Sequence, residues 1–195
     1  MHAVSIIIFS LACIAAFYAA DSLVAGQWLT VKARAAILYV LSMLAMGLVG
    51  EVAFDTAYNA AFGWPLWQYH LLPIHHSYTS VYSLVIWAAM GLHLYLLHEA
   101  FKKRGITSVH VLAVVFCMEA LLLEALLNLA YQIFFGDYVF YYLPTDLWHV
   151  TSVQALPIYF FGGYIAVLAT RLALRIPRRA LVGNSLAIAA VLLLK

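Results

Sequence analysis

Carboxylates interrupt two apolar segments of this chain at positions where they could do chemistry. Residues 50–63 read GEVAFDTAYNAAFG, with Glu51 and Asp55 one helical turn apart, and residues 124–136 read EALLNLAYQIFFG, beginning with Glu124. A carboxylate facing lipid tails costs about 3 kcal/mol or more, so acids in membrane segments usually face protein or water and take part in function. In a pocket of low dielectric such a carboxyl stays protonated at neutral pH and can act as a general acid.

The two segments are similar to each other, which indicates an internal duplication. Residues 51–63 and 124–136 both begin with Glu, have Tyr seven residues later and end in Phe-Gly, and Asp55 corresponds to Asn128. Each unit would contain two membrane spans, so both units insert with the same topology. The sequence therefore predicts tandem two-helix repeats, about 46–99 and 119–172, related by a pseudo-two-fold axis along the membrane normal.

The shared polar residues occupy one helical face in each repeat, at i, i+4, i+7 and i+8 from the glutamate. A face this polar is predicted to turn inward, towards a central chamber. The candidate catalytic residues are Glu51, Glu124, Asp55 and Asp146, of which Asp146 lies in the loop formed by residues 136–148. Buried polar side chains can also have a purely structural role, in which each hydrogen bond between helices contributes about 1 kcal/mol. For Tyr58 and Tyr131 this structural role has at least equal weight.

The composition identifies the elements that must position these acids. The chain has 195 residues, of which 67% are hydrophobic and 9% charged, with mean hydropathy +0.98. A soluble domain has about a quarter of its residues charged. The long apolar runs predict an all-α, polytopic membrane helix bundle, and residues 1–195 form a single domain. The predicted spans, each close to the ~20 residues that cross a bilayer, are 3–25, 35–61, 77–99, 107–135, 149–172 and 180–194.

The basic residues predict the orientation of this bundle. Nine of the ten Lys and Arg residues lie between spans one and two, three and four, and five and six, and the tenth, Lys195, follows the last span; the other two connections contain no Lys or Arg. The positive-inside rule places the basic connections in the cytoplasm and both termini on the other side. These basic residues are Lys32, Arg34, Lys102, Lys103, Arg104, Arg171, Arg175, Arg178 and Arg179.

The two non-cytoplasmic connections, residues 62–76 and 136–148, are rich in aromatic residues. An interfacial aromatic belt explains most of them, but not the additional His and Asp residues. The connections could instead form a lid over the chamber. The candidate substrate-binding residues, from the connections and the polar faces, are Tyr58, Tyr131, Asn128, Trp67, Tyr78, Trp148, His76 and His149.

No cofactor is predicted, but a redox centre stays open as an alternative. His76, His149 and Asp146 are the residues that could bind haem or a metal ion, because His pairs on facing helices bind haem. The sequence has no HExxH or CxxC pattern, and Cys13 and Cys117 both lie in apolar runs. His93, near the basic end of its span, is predicted to snorkel or to cap a helix.

Two functions are compatible with paired acids in a membrane. The favoured one is an enzyme that protonates an olefin or epoxide of a lipid or isoprenoid-type substrate, giving isomerisation or cyclisation. Membrane-embedded terpene cyclases and sterol isomerases provide a chemical analogy. The alternative is a proton-coupled transporter or small channel. The expected partners are the bilayer and a hydrophobic small molecule, without nucleic acid, and the sequence is compatible with an oligomer.

Overall fold

The structure, a computed structural model, describes residues 2–175 and 177–193, which form six α-helices. Five of them are long and apolar enough to cross a bilayer, which confirms the helical fold and is compatible with a multi-pass membrane bundle. The described sixth helix has 17 residues, fewer than the ~20 that span hydrocarbon. The predicted last span ends at Leu194, outside the described residues. The helices are α1 (His2–Ala25), α2 (Ala33–Phe62), α3 (Ser83–Lys103), α4 (Val109–Phe135), α5 (Leu156–Arg175) and α6 (Pro177–Leu193).

The Phe-Gly sequence that ends both similar segments is a helix stop. Gly63 has φ +83° and Gly136 has φ +73°, and their amides donate to the carbonyls of Asn59 and Gln132. This left-handed conformation is accessible to glycine because it lacks a Cβ. α2 and α4 therefore end in the same way, at the entrance to the two outer connections.

The bundle is built around α2, α3, α4 and α5. α2 packs most extensively against α3, α4 packs against α5, and α2 also contacts α5. α1 lies against α3, whereas α6 lies against α2 and α5. Glycines allow close approaches between helices: a Cβ on Gly91 would lie 2.7 Å from Cα of Val40, and one on Gly47 would lie 2.1 Å from the ring of Trp87.

The outer connections contain four short strands. β1 (Trp67–Tyr69) pairs antiparallel with β4 (Phe140–Tyr142), and β2 (Pro73–Ile74) pairs with β3 (Thr79–Ser80). α3 and α5 consequently begin at Ser83 and Leu156, later than the predicted residues 77 and 149. The residues between are held by strand pairs and by left-handed turns with positive φ, at His75–Ser77 and at Trp148–His149.

These connections fold back into the protein. The side chains of β1 and β4 alternate, and Trp67, Tyr69, Phe140 and Tyr142 are all buried. α2 has 30 residues, or about 45 Å at 1.5 Å per residue, which exceeds the ~30 Å of bilayer hydrocarbon. The strands pack among the ends of such long helices. Non-helical backbone is acceptable there because it is surrounded by protein and its polar groups are paired.

Candidate functional site

Two cavities meet at the pair of intramembrane glutamates. Chamber 1, about 590 Å³, lies between α2 and α5, and chamber 2, about 390 Å³, lies between α1, α3 and α4. Because the same side chains line both cavities, the acids stand at the junction of the two. The shared lining residues are Glu51, Tyr69, Trp87, Glu124, Phe140 and Tyr159.

Glu51 is buried and accepts hydrogen bonds from three side chains. Its Oε1 accepts from the Tyr69 hydroxyl and, at 2.9 Å, from the Trp87 indole N–H. Its Oε2 accepts from the Thr79 hydroxyl, and Thr79 Oγ1 also lies 3.3 Å from Ser83 Oγ. These donors are 18, 36 and 28 residues further along the chain than Glu51.

Glu124 has a matching set of three donors. Its Oε1 accepts from Tyr142 at 2.9 Å and from Tyr159 at 2.5 Å, and its Oε2 accepts from Thr151 at 2.6 Å. The sequence separations are 18, 35 and 27 residues. Both glutamates are therefore fixed by a strand tyrosine, a threonine after that strand, and an aromatic side chain of the next helix.

The strands and a close helix contact position these donors. Tyr69 and Tyr142 are the last residues of β1 and β4, so the strand pair brings both hydroxyls to the acids. Burial raises the pKa of both tyrosines well above its usual value, so they remain O–H donors. The absent side chain of Gly47 leaves room for the Trp87 ring beside Glu51.

Asp55 and Asn128 hold the backbone of the two connections. Asp55 Oδ1 accepts from the Leu66 amide at 2.6 Å, and Asn128 Oδ1 accepts from the Val139 amide at 3.2 Å. Both side chains are fully buried, but neither is among the residues lining the two chambers. Among the described residues, Asp55 Oδ2 has no hydrogen-bond partner. Their geometry fits a structural role for both.

Asp146 and two predicted tyrosines also lie away from the acid pair. Asp146 accepts from the Ser152 hydroxyl at 3.0 Å and from the Val153 amide at 2.9 Å, at the start of the 3₁₀ turn Val153–Ala155. Tyr58 donates to Gln154 at 2.6 Å. Tyr131 is buried, and its ring packs against Phe135. None of these three candidates is among the lining residues of the chambers.

The remaining candidates in the connections have different surroundings. Trp67 lines chamber 1 and donates its indole N–H to the Tyr78 carbonyl at 2.8 Å. The Tyr78 hydroxyl accepts from Asn59 at 3.0 Å. Trp148 is 81% exposed. The predicted set therefore divides: Trp67 lines a chamber, whereas Tyr78 supports the connection and Trp148 points outward.

The histidines proposed for a redox centre have separate contacts. His149 donates from Nδ1 to the Tyr142 carbonyl at 2.6 Å and stacks on Tyr141. The His76 ring lies 6.0 Å from that of Tyr78. Across residues 2–175 and 177–193, no three His, Cys, Asp or Glu side chains group as metal ligands would.

A cluster of three ionisable residues, of which His93 and Asp21 are buried and Glu119 is partly exposed, lies on the side of the bundle nearer the basic connections. His93, on α3, makes contacts through both ring nitrogens: Nδ1 is 2.9 Å from Asp21 on α1, and Nε2 is 3.1 Å from Glu119 on α4. The expected snorkelling of His93 is wrong, because its side chain is buried between two acids on neighbouring helices. The three partners come from distant segments, so no local spacing indicated this cluster.

Comparison of the chain with protein-family models, with curated proteins and with solved structures finds no match. The donor sets of the two glutamates and the chambers beside them are therefore the observations from which a function is inferred.

Proposed function

We propose that the protein is a membrane-embedded enzyme that isomerises or cyclises a hydrophobic, isoprenoid-type lipid by acid–base chemistry. The observation that carries this proposal is the pair Glu51 and Glu124. Each is buried, each has three hydrogen-bond donors, and both line the same two apolar chambers. Carboxyls that only tied helices together would not need to border a shared cavity.

The neighbours of the two acids support different protonation states. If Glu51 carries a proton on Oε2, it can donate to Thr79, and Thr79 can then donate to Ser83 Oγ, 3.3 Å away. Four residues after Thr151, the corresponding position is Ala155, which has no hydroxyl. Glu124 is instead suited to the carboxylate form, which accepts from three hydroxyl groups at once. We therefore assign Glu51 as the acid and Glu124 as the base.

The proposed reaction moves one proton onto the substrate and removes another. The Glu51 O–H bond breaks as its proton adds to one carbon of a C=C bond, and the other carbon becomes a cation. Glu124 then takes a proton from a carbon next to the cation, and the electrons of that C–H bond form a new C=C bond. The two proton transfers balance: Glu124 releases the proton that it has taken to solvent, and Glu51 takes up a new proton from solvent before the next turnover.

The chamber walls would protect the cation during this reaction. The rings of Trp87, Tyr159 and Phe140 line the junction beside both acids. Aromatic faces attract cations, by up to about 2 kcal/mol where water is excluded. Apolar walls also keep out water, which would otherwise capture the cation as an alcohol.

We also infer that the units 46–99 and 119–172 are an internal duplication related by a pseudo-two-fold axis. Three observations support this: the equal helix stops, the matching donor separations of the two glutamates, and the pairing of β1 with β4 around Gln68 and Tyr141. An antiparallel pair of equivalent strands has a local two-fold axis through its central residues.

The orientation remains a proposal that follows from the basic residues. Arg104 Nε donates to the Val24 carbonyl at 2.5 Å, and Lys32 Nζ is 3.9 Å from Glu99, which supports grouping the basic connections at one end of the bundle. We propose that this end faces the cytoplasm and that the strands and the histidines lie at the other end.

Proton-coupled transport would use the same acid pair and is the alternative. A carrier or channel needs a polar path to both sides of the membrane. The walls beyond the acid pair are mainly Ala, Gly, Leu, Ile, Met and Phe, which supports a hydrophobic occupant and therefore catalysis.

The test is to incubate membranes containing the protein in deuterium oxide and to analyse the extracted lipids by liquid chromatography and mass spectrometry. We expect a lipid with altered retention and one added deuterium, because the proton of Glu51 exchanges with solvent. Glu51→Gln and Glu124→Gln should each lower this product by about 100-fold or more. Glu119→Gln, on the same helix as Glu124 but beyond the chamber walls, is the control and should retain activity. Unchanged lipid profiles in both glutamine variants would show that the acids have only a structural role.

A further inference from the structure

We propose that the substrate is a long hydrocarbon chain that passes through both chambers, with its reacting carbons in the interior of the chain and one flank in each chamber. The position of the reacting carbons rests on the proposed function of Glu51 and Glu124. The continuous path for a chain rests only on the walls of the cavities and can be tested without activity.

The first argument is the junction itself. Six residues line both cavities, including the two glutamates. The acid pair therefore has open space on two sides, towards α5 in chamber 1 and towards α1 in chamber 2. A compact molecule at the junction would leave most of the 590 Å³ and 390 Å³ empty, whereas a chain can extend into both.

The second argument is the chemistry of the walls beyond the junction. Chamber 2 continues along apolar side chains of three helices, including Phe17, Met90 and Leu123. Its hydroxyls beyond the junction are Ser10 and Tyr82, which are hydrogen-bonded to each other at 2.7 Å. A polar head group in this chamber would lose its hydration without compensation. The flank that enters chamber 2 must therefore be hydrocarbon.

The third argument is that exposed apolar side chains border both chambers. Chamber 1 is edged by Phe161 and Ile165, which are 59% and 44% exposed. Chamber 2 is lined on one side by Phe9, Cys13 and Phe17 of α1 and is edged by Leu126, which is 51% exposed. A hydrocarbon chain can therefore enter one chamber from the surrounding lipid and extend past the acid pair into the other.

The experiment measures thermal stabilisation of the purified protein in lipid nanodiscs by linear isoprenoid hydrocarbons of two, four and six isoprene units. A ligand that binds only the folded state stabilises it in proportion to the logarithm of its affinity. We expect the increase in Tm to grow with chain length, because longer chains bury surface in both chambers. The same growth is expected in Glu51→Gln, since the walls do not depend on the acid.

Two variants block one chamber each. Ala16→Phe narrows chamber 2 from α1, and Gly50→Leu narrows chamber 1, where a Cβ would have open space. The longest ligand is expected to raise Tm more than the shortest one, and each blocking variant should reduce this difference by roughly half or more. The Tm shift given by the shortest ligand should stay the same in both variants. The controls are Ala15→Phe on α1 and Gly183→Leu on α6, exposed positions away from the chamber walls. These should behave like the unmodified protein.

Equal Tm shifts for all three chain lengths, or a length dependence that survives both blocking variants, would overturn the continuous path. A second outcome separates the two proposals. If the Tm shift grows with chain length but the Glu51→Gln variant still makes the deuterated product, the continuous path is retained and the acid–base function is rejected. The two proposals therefore fail separately.

Discussion

The surroundings of Glu51 and Glu124 are alike in plan and different in two details. Each glutamate accepts from a tyrosine, a threonine and a side chain of the following helix. On the Glu51 side the last donor is the indole of Trp87, which can only donate, and on the Glu124 side it is the hydroxyl of Tyr159, which can donate or accept.

The second detail is the residue beyond each threonine. Thr79 has Ser83 within 3.3 Å, whereas the corresponding position after Thr151 is Ala155. The threonine beside Glu51 therefore has an onward acceptor, and the threonine beside Glu124 has no hydroxyl at the corresponding position. A shared plan explains why two acids are present, and the differences explain how they can have different roles.

The largest effect is expected when each acid in turn is replaced by leucine. Glu51→Leu leaves Trp87 N–H buried without an acceptor, and each such donor costs about 1–3 kcal/mol. After Glu124→Leu, the hydroxyls of Tyr142, Tyr159 and Thr151 can bond to one another. We expect both variants to be destabilised, Glu51→Leu by about 2 kcal/mol more. Thermal or denaturant unfolding in detergent measures the difference, and equal destabilisation would show that the indole is not a distinguishing feature.

A smaller effect should follow from making the two sides equal. Ser83→Ala removes the onward acceptor of Thr79, worth about 1 kcal/mol, and should lower kcat about fivefold if Glu51 is the acid. The reciprocal change, Ala155→Ser, should leave kcat within about twofold, because a carboxylate on Glu124 needs no onward acceptor. Product formation rates for the two variants test this. A larger loss in Ala155→Ser would reverse the acid and base.

The difference between Asp55 and Asn128 allows a further test. Both side chains accept from backbone amides of the connections, and asparagine can keep that contact. Asp55→Asn should therefore change activity by less than about twofold and stability by less than about 1 kcal/mol. The product formation rate and the free energy of unfolding of Asp55→Asn test this. The reciprocal substitution Asn128→Asp is measured in the same way for comparison. Loss of activity with stability retained would return Asp55 to the catalytic residues.

The smallest effect concerns the contact between the two outer connections. His70 Nδ1 lies 3.1 Å from Asp137, whose carboxylate also accepts from the Tyr138 amide at 2.7 Å. Slight burial raises the pKa of Asp137, but the His70 ring and the Tyr138 amide outweigh this and lower it below its usual value.

Because the pKa of Asp137 is lower in the folded protein than in the unfolded chain, its carboxylate stabilises the fold at pH values above the unfolded pKa. This contribution is lost as the pH falls through the pKa of the folded protein. Unfolding of the unmodified protein and of Asp137→Asn between about pH 5 and pH 2 should therefore converge at the acidic end. If the difference in the free energy of unfolding between the unmodified protein and Asp137→Asn grows as the pH falls, the lowered pKa of Asp137 is contradicted.

The sequence predicts much of this architecture, because hydrophobic length and period are local properties. The five long helices, the Phe-Gly stops and the inward position of Glu51 and Glu124 all follow from segments of about 30 residues or fewer. Asp55, Tyr58 and Tyr131 share that helical face, yet they contact the connections and not the chambers, because a shared face does not fix what packs against it.

The donors to the acids were missed because they depend on connections folding inward. Tyr69 and Tyr142 lie in segments interpreted mainly as an interfacial belt, and Trp87 and Tyr159 lie on helices without an evident polar face. A signal existed in the sequence: the alignment of the two similar segments, extended through the connections, places Tyr69 with Tyr142 and Thr79 with Thr151. The strand pair that gives this alignment its meaning is a long-range contact, which local patterns do not encode.

The pairing of β1 with β4 also sets an order of assembly during synthesis. β1 is synthesised between α2 and α3, but its partner strand β4 is synthesised only after α4. Until then, the backbone of β1 and the hydroxyl of Tyr69 lack their final surroundings, and Glu51 has no completed chamber. A chain that stops after α3 therefore has no partner strand for β1, and one that stops after β4 still lacks Thr151 and Tyr159, which complete the donor set of Glu124.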